Sequence, residues 1–185
     1  MKPGKIIYEQ DHEGVGHVMV RNMGPEDAHI MMDYINELSR EKTFITFQGE
    51  QLDIEKEQKY VHEVLERISK NSKVKLLLLL NNQLVGISEV ALSARVSSHI
   101  GTLGLSLAKD ARGKKLGRLL IDLVLQEAKH HLSGLRYIEL TCFANNHVAQ
   151  NLYQKVGFKE VARIPERILH RGEYVDEIIM HKKIK

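Results

Sequence analysis

Between residues 109 and 118 the chain reads KDARGKKLGR, which sets Arg112, Lys114, Lys115 and Arg118 around Gly113 and Gly117. A mostly apolar helical pattern follows at once. Where a strand hands over to a helix, the first helical N–H groups lack intrahelical acceptors and the dipole adds partial positive charge. Main-chain donors, full charges and glycines that admit close approach together suit a pyrophosphate. The spacing matches neither the P-loop nor the dinucleotide fingerprint. A solvated lysine-rich loop would have the same composition, so this stretch alone leaves both readings open.

Other reactive residue types are sparse or unmatched. The only cysteine, Cys142, sits in the apolar run YIELTCF. It offers neither a disulfide framework nor a thiolate set for zinc, and it reads as a buried, inert thiol. The ten histidines show no metal-ligand spacing. His130 and His131 end a helical pattern, where imidazolium would favour the dipole. No metal is expected.

The elements that must position the basic stretch follow from periodicity. Residues 1–16, polar with three glycines, read as an N-terminal extension or an added strand, and residues 17–185 as one domain. HVMVRN is a strand, and Gly24-Pro25 opens a helix whose core face is Ala28, Met31, Ile35 and Leu38. After TFITFQGEQ, Asp53 caps a second helix with Val61, Val64, Leu65 and Ile68 on one stripe. KVKLLLLL and QLVGISEVALS form a hairpin across Asn81-Asn82, the leucine run being a strand buried on both faces. SSHIGTLGLSLA is a further strand that runs into the basic stretch.

The helix after it keeps Arg118, Asp122, Gln126 and Lys129 on a narrow polar stripe, so sheet must cover most of its surface. RYIELTCF is a strand, HVAQNLYQKV a helix stopped by Gly157, and the remainder a hairpin turning near HRGE. The order is strand, two helices, three strands, helix, strand, helix, two strands. That order implies an α/β or α+β fold, a mixed sheet covered by helices.

Composition narrows the function classes. The 185 residues are 43% hydrophobic and 28% charged with a formal net charge of +3, which describes an ordinary globular chain with only local basic patches. Aromatic residues are 5% and tryptophan is absent, so a nucleic-acid module built on basic and aromatic residues is disfavoured. No secretory signal is visible, and VKLLLLL is far shorter than the ~20 residues of a membrane span. A cytoplasmic location without membrane partners is the expectation.

A downstream segment resolves the ambiguity of the basic stretch. NNHVAQNLYQKVGF, taken with LGLSLAKDARGKKLGRLL, resembles the GNAT superfamily of acetyl-CoA-dependent N-acetyltransferases. That family carries an R/Q-x-x-G-x-G/A phosphate loop and a later N-x-x-A-x-x-L-Y-x-K-x-G-F element. Asn146, Ala149, Leu152, Tyr153, Lys155, Gly157 and Phe158 match the second signature. The loop departs at one place: Lys115 stands where its first glycine is expected. The resemblance runs from about His17 to the C-terminus. It implies a mostly antiparallel central sheet with two splayed parallel strands, flanked by about four helices.

The resemblance also implies acetyl-CoA as cosubstrate, lying in a splay between TLGLSLA and RYIELTCF. Its implied contacts are Leu105, Ser106 and Leu107 along the strand, then Arg112, Gly113, Lys114, Lys115, Leu116, Gly117 and Arg118 at the diphosphate. Asn146, Asn151 and Tyr153 complete them from the later element. Tyr153 corresponds to the tyrosine that protonates the departing thiolate; with a pKa of ~10 its phenol is protonated at neutral pH. A backbone N–H near Leu105 would stabilise the developing oxyanion.

Deprotonating a lysine-like acceptor ammonium of pKa about 10.4 at neutral pH costs roughly 4.6 kcal/mol, so a base is needed. The position where several relatives carry a glutamate falls near Gly101. Glu89 and His99 on neighbouring strands are the remaining candidates, and each reads equally well as a surface residue. The implied activity is acetyl transfer to a primary amine of a small molecule or of a peptide or protein N-terminus. A CoA-binding regulatory domain without catalysis is the alternative, and a homodimer is one admissible assembly. Selectivity is expected from the two early helices, the TFITFQGEQ loop and the final hairpin, with Glu41, Glu50 and Asp53 as acids that could attract a cationic amine.

Overall fold

Among the described residues the chain forms eight strands and four α-helices. A computed structural model describes residues 1–184. In chain order the elements are β1 (Ile6–His12), β2 (Gly16–Asn22), α1 (Ala28–Glu41), α2 (Ile54–Ser69), β3 (Lys73–Leu80), β4 (Gln83–Leu92), β5 (Ile100–Leu107), α3 (Leu116–His131), β6 (Tyr137–Phe143), α4 (His147–Lys155), β7 (Lys159–His170) and β8 (Glu173–Lys183). All strands join one sheet in the order β1-β2-β3-β4-β5-β6-β8-β7. Among the described residues only β5 and β6 pair in parallel. The expected order of elements is found, and the polar N-terminus supplies β1 as an added edge strand on β2.

Local chemistry sets the boundaries. Asp53 caps α2, its carboxylate accepting from the Lys56 N–H at 2.9 Å. Asn146 does the same for α4 through the Ala149 N–H at 3.1 Å. Each such cap stabilises its helix by about 1 kcal/mol. The β3–β4 and β7–β8 turns place Asn81, Asn82, Arg171 and Gly172 at positive φ, the conformation that tight two-residue hairpins require.

The sheet is covered on both faces. Lys75 of β3 meets Tyr60 of α2. On the other face, Leu78 and the α3 residue Leu120 both close over Gly86. Along α3, Leu116, Leu120, Ile121, Val124 and Ala128 are buried, whereas Arg118, Asp122, Gln126 and Lys129 are exposed. Each fully buried leucine or isoleucine contributes about 1.5–3 kcal/mol, so this face holds α3 to the sheet. β3 is buried on both faces as its leucine run implies. Burial also extends to Lys73 and Lys75, which the leucine pattern did not suggest. Among the described residues no helix is long and apolar enough to cross a membrane.

Candidate active site

The route from β5 into α3 passes a short 3-10 turn and then Arg112–Lys115. Gly113 (φ 77) and Lys115 (φ 62) are left-handed. That conformation explains the glycine expected at position 115, and a lysine adopts it at about 1–2 kcal/mol. Lys115 is exposed, so its side chain stands at the surface. The N–H groups of Gly113, Lys114, Lys115, Leu116 and Gly117 donate to no acceptor among the described residues. The first bonds of the helix run from Arg118 and Leu119, both to the Lys115 carbonyl. Five successive open donors beside two exposed lysines match the donor set of a diphosphate site.

Both arginine side chains have partners that brace the loop. Arg112 holds both carboxylate oxygens of Glu41 in α1, at 2.5 and 2.8 Å, and the Leu107 carbonyl at 2.9 and 3.1 Å. Arg118 holds Asp122 at 2.6 Å and the Lys155 carbonyl at the end of α4 at 3.2 Å.

Upstream of the loop the two parallel strands part. The β5–β6 ladder pairs only Ile100, Gly101 and Thr102 with Tyr137, Ile138 and Glu139. Ala108 donates to Val85 of β4. Strand alternation therefore turns the main-chain groups of Leu103, Leu105 and Leu107 toward the opening. The loop end of this opening is narrowed by side chains. A Cβ placed at Gly117 would lie 3.1 Å from Leu107 and 3.4 Å from Leu152 of α4.

A second opening shares this strand. A cleft of about 360 Å³ is lined by Gly104, Leu105 and Ser106 of β5, Ile87 and Glu89 of β4, Lys75 of β3, and residues of α1, α2 and the loop between them. The helices and loop supply apolar walls in Met31, Ile35, Phe47 and Leu52. The loop wall is fixed from α1. Asn36 donates to the Leu52 carbonyl at 3.0 Å and accepts from its N–H at 2.7 Å. Ser39 donates to the Glu50 carbonyl at 2.6 Å. From the final hairpin, His170 contacts the Lys42 carbonyl at 3.2 Å and packs on Phe44.

The floor of the cleft is charged. Glu89 accepts from Lys73 and Lys75, each at 2.8 Å, and Lys75 also donates to the Tyr60 hydroxyl at 2.7 Å. Burial would push the Glu89 carboxyl up, but Lys75 and Lys73 overcome it and hold the group at about 2. Burial lowers Lys73 despite the same partner. Glu57 of α2 lines the cleft at 3% exposure, and its Oε1 has no hydrogen-bond partner. Burial raises its carboxyl above the ordinary value, with Lys75 pulling the other way.

The structure separates the two base candidates. Glu89 faces the cleft; His99 is exposed just before β5 and lies outside it. Position 101 is closed to any side chain, because a Cβ there would meet Val90 at 2.7 Å and Leu135 at 3.0 Å. Tyr153 is buried on α4 against Phe158, and burial raises its phenol. Asn146 spends its side-chain oxygen on the helix cap, leaving its amide N–H groups for another partner. Asn151 is exposed. Burial pushes the Cys142 thiol up to about 11, in keeping with an inert residue. Glu41, Glu50 and Asp53 each have partners in Arg112, Gln48 and Lys56.

Sequence reasoning passed over Glu57, although a signal was present. It precedes Val61, Val64 and Ile68 by four, seven and eleven residues, which sets a carboxylate on the buried stripe of α2.

A splayed parallel pair that leads into a strand-to-helix loop of open N–H groups is a frame found in acyltransferases. The family model described as Acetyltransferase (GNAT) family matches residues 32–158, and the chain belongs to this family. Among solved structures, the acetyltransferase of GNAT family from Streptococcus pneumoniae is similar over 91% of this chain and 99% of its own. Its TM-score is 0.82 at 26% identity. A phosphinothricin acetyltransferase from Sinorhizobium meliloti, in complex with AcCoA, covers 90% of this chain and 88% of its own, with TM-score 0.76 at 14% identity. The ribosomal-protein-S5-alanine acetyltransferase from Vibrio fischeri covers 95% and 96%, with TM-score 0.76 at 16% identity. These last two share the fold. No curated protein matches the sequence significantly.

Proposed function

We propose that this acyltransferase moves the acetyl group of acetyl-CoA to a primary amine of a small molecule or of a peptide N-terminus, by direct attack of the amine. The observation that carries the reading is that one strand serves two openings. Residues 104–106 of β5 line the cleft, and the same strand presents its free edge to the splay. An acceptor in the cleft and a thioester in the splay would therefore meet at β5.

The residues present fit the cosubstrate. The N–H groups of residues 113–117, with Lys114 and Lys115, would hold its diphosphate, and the open main-chain groups of Leu103 and Leu105, the Leu107 N–H and the Asn146 amide would hold its arm. Bound there, acetyl-CoA supplies an acyl carbonyl that an amine can attack. The Leu105 N–H, on the open edge, is placed to donate to an oxygen that gains negative charge. Tyr153 keeps its proton at neutral pH and can donate it to a leaving sulfur. Glu89, held at about 2 by two lysines, is a weak proton acceptor; its part is to neutralise Lys73 and Lys75 beneath the cleft.

Thiol release from acetyl-CoA across a panel of primary amines, with calorimetry of CoA binding, tests the proposal. Turnover with any amine supports it. Tight CoA binding with no turnover on the whole panel would assign the chain to CoA binding without catalysis.

A further inference from the structure

Two buried side-chain oxygens lack a hydrogen-bond partner among the described residues, Asn22 Oδ1 and Glu57 Oε1, and only Glu57 faces the cleft. Buried polar atoms are nearly always satisfied, and Glu57, a residue of the cleft lining, carries a carboxylate without any partner that a ligand donor can satisfy. The other groups around it are taken. Glu89 of β4 is shared by Lys73 and Lys75 of β3, Lys75 also serves Tyr60 of α2, and Lys56 at the rim pairs with Asp53 at 2.6 Å. The residues that α1 and the following loop add to the cleft, Met31, Ile35, Phe47 and Leu52, are apolar.

We infer that Glu57 receives the ammonium of the acceptor and takes its proton, and that the acceptor is a lone primary amine carried on an apolar body. The inference rests on the acetyl-transfer reading and names the acceptor class for that site. One free carboxylate matches one cation, and apolar walls without further unpaired acids disfavour polyamines. Two sources share this chemistry: a small arylalkylamine, and a peptide whose first residue is apolar.

The proton balance closes within the cleft. The ammonium gives one proton to the Glu57 carboxylate, and the freed lone pair forms the C–N bond to the acyl carbon as the C–S bond breaks. The sulfur gains a proton from the Tyr153 phenol, and the nitrogen's surplus proton restores that phenol. Glu57 then returns its proton to water, one proton released per turnover. Burial of Glu57 helps, because a carboxyl raised above its usual range holds a proton better than Glu89 can.

The decisive variant is Glu57→Gln, which keeps the shape and loses the charge. In calorimetry of the CoA-loaded chain, 2-phenylethylamine or the peptide Phe-Gly-Gly should bind the wild type and bind the variant about 10–100-fold more weakly. The kcat/KM should fall about 10²–10⁴-fold, and the acidic limb of its pH profile should disappear. CoA affinity should be unchanged, and the thermal midpoint at neutral pH equal or higher, since a buried unpaired carboxylate is removed. Whichever probe binds tighter identifies the source.

Wild-type amine affinity and an unaltered pH profile in Glu57→Gln would overturn the inference. So would preference for spermidine over both probes, or failure of all probes to bind the wild type. Amine binding lost in the variant, with no turnover in either protein, would support the Glu57 site and refute acetyl transfer.

Discussion

Glu57 and Glu89 face the same cleft, yet their neighbours give them opposite proton chemistry. Glu89 is drawn down to about 2 by two lysines at 2.8 Å, whereas Glu57 has burial without a partner. The sequence offers Glu89 and His99 alike as candidates, because strand residues near the resembled motif are visible and partners are not. Tyr153 packs its ring on Phe158, so Tyr153→Phe keeps the packing and should leave stability within about 1 kcal/mol. Steady-state assays should show kcat reduced about 10²-fold or more, with CoA affinity retained. Lys115→Gly relieves a left-handed lysine but adds freedom to the unfolded chain, so thermal melts should shift by less than about 1 kcal/mol. Its lost charge should appear as a smaller salt dependence of CoA binding.

At the scale of elements, α1 acts as a jig for the site. Its Asn36 and Ser39 fix the loop that carries Phe47 and Leu52, and its Glu41 anchors Arg112 of the phosphate loop. Asn36→Ala would leave two main-chain groups of Leu52 unpaired. Chemical denaturation should show a loss of about 1–3 kcal/mol, and the acceptor KM should rise more than kcat falls. Both helices and the TFITFQGEQ loop, which carry no diagnostic motif, line the cleft. The final hairpin contributes at one remove, through His170 on the Lys42 carbonyl.

Across the whole molecule, the buried cluster of Lys73, Lys75 and Glu89 joins β3 and β4 under the cleft. Glu89→Gln would leave two buried lysines without their counter-charge, and denaturant melts should register a loss of about 3–5 kcal/mol. In the wild type the Glu89 carboxyl is depressed from 4.5 to about 2. Its contribution is therefore complete above pH 4.5 and is lost as pH falls through about 2. Thermal midpoints followed across that window should fall more steeply in the wild type than in Glu89→Gln.

Period, capping residues and turn chemistry are local, and they sufficed to determine the order of strands and helices, the Asp53 cap and the Asn81-Asn82 turn. The matched segments around residues 105–118 and 146–158 likewise determined the family and its cosubstrate. The partners of the two arginines and the fate of each acid were decided by tertiary structure alone. Whether a carboxylate is a weak base or a free one depends on which lysines the sheet brings to 2.8 Å and how much water the helices exclude. Those distances are set between elements far apart in the chain, where no periodicity records them.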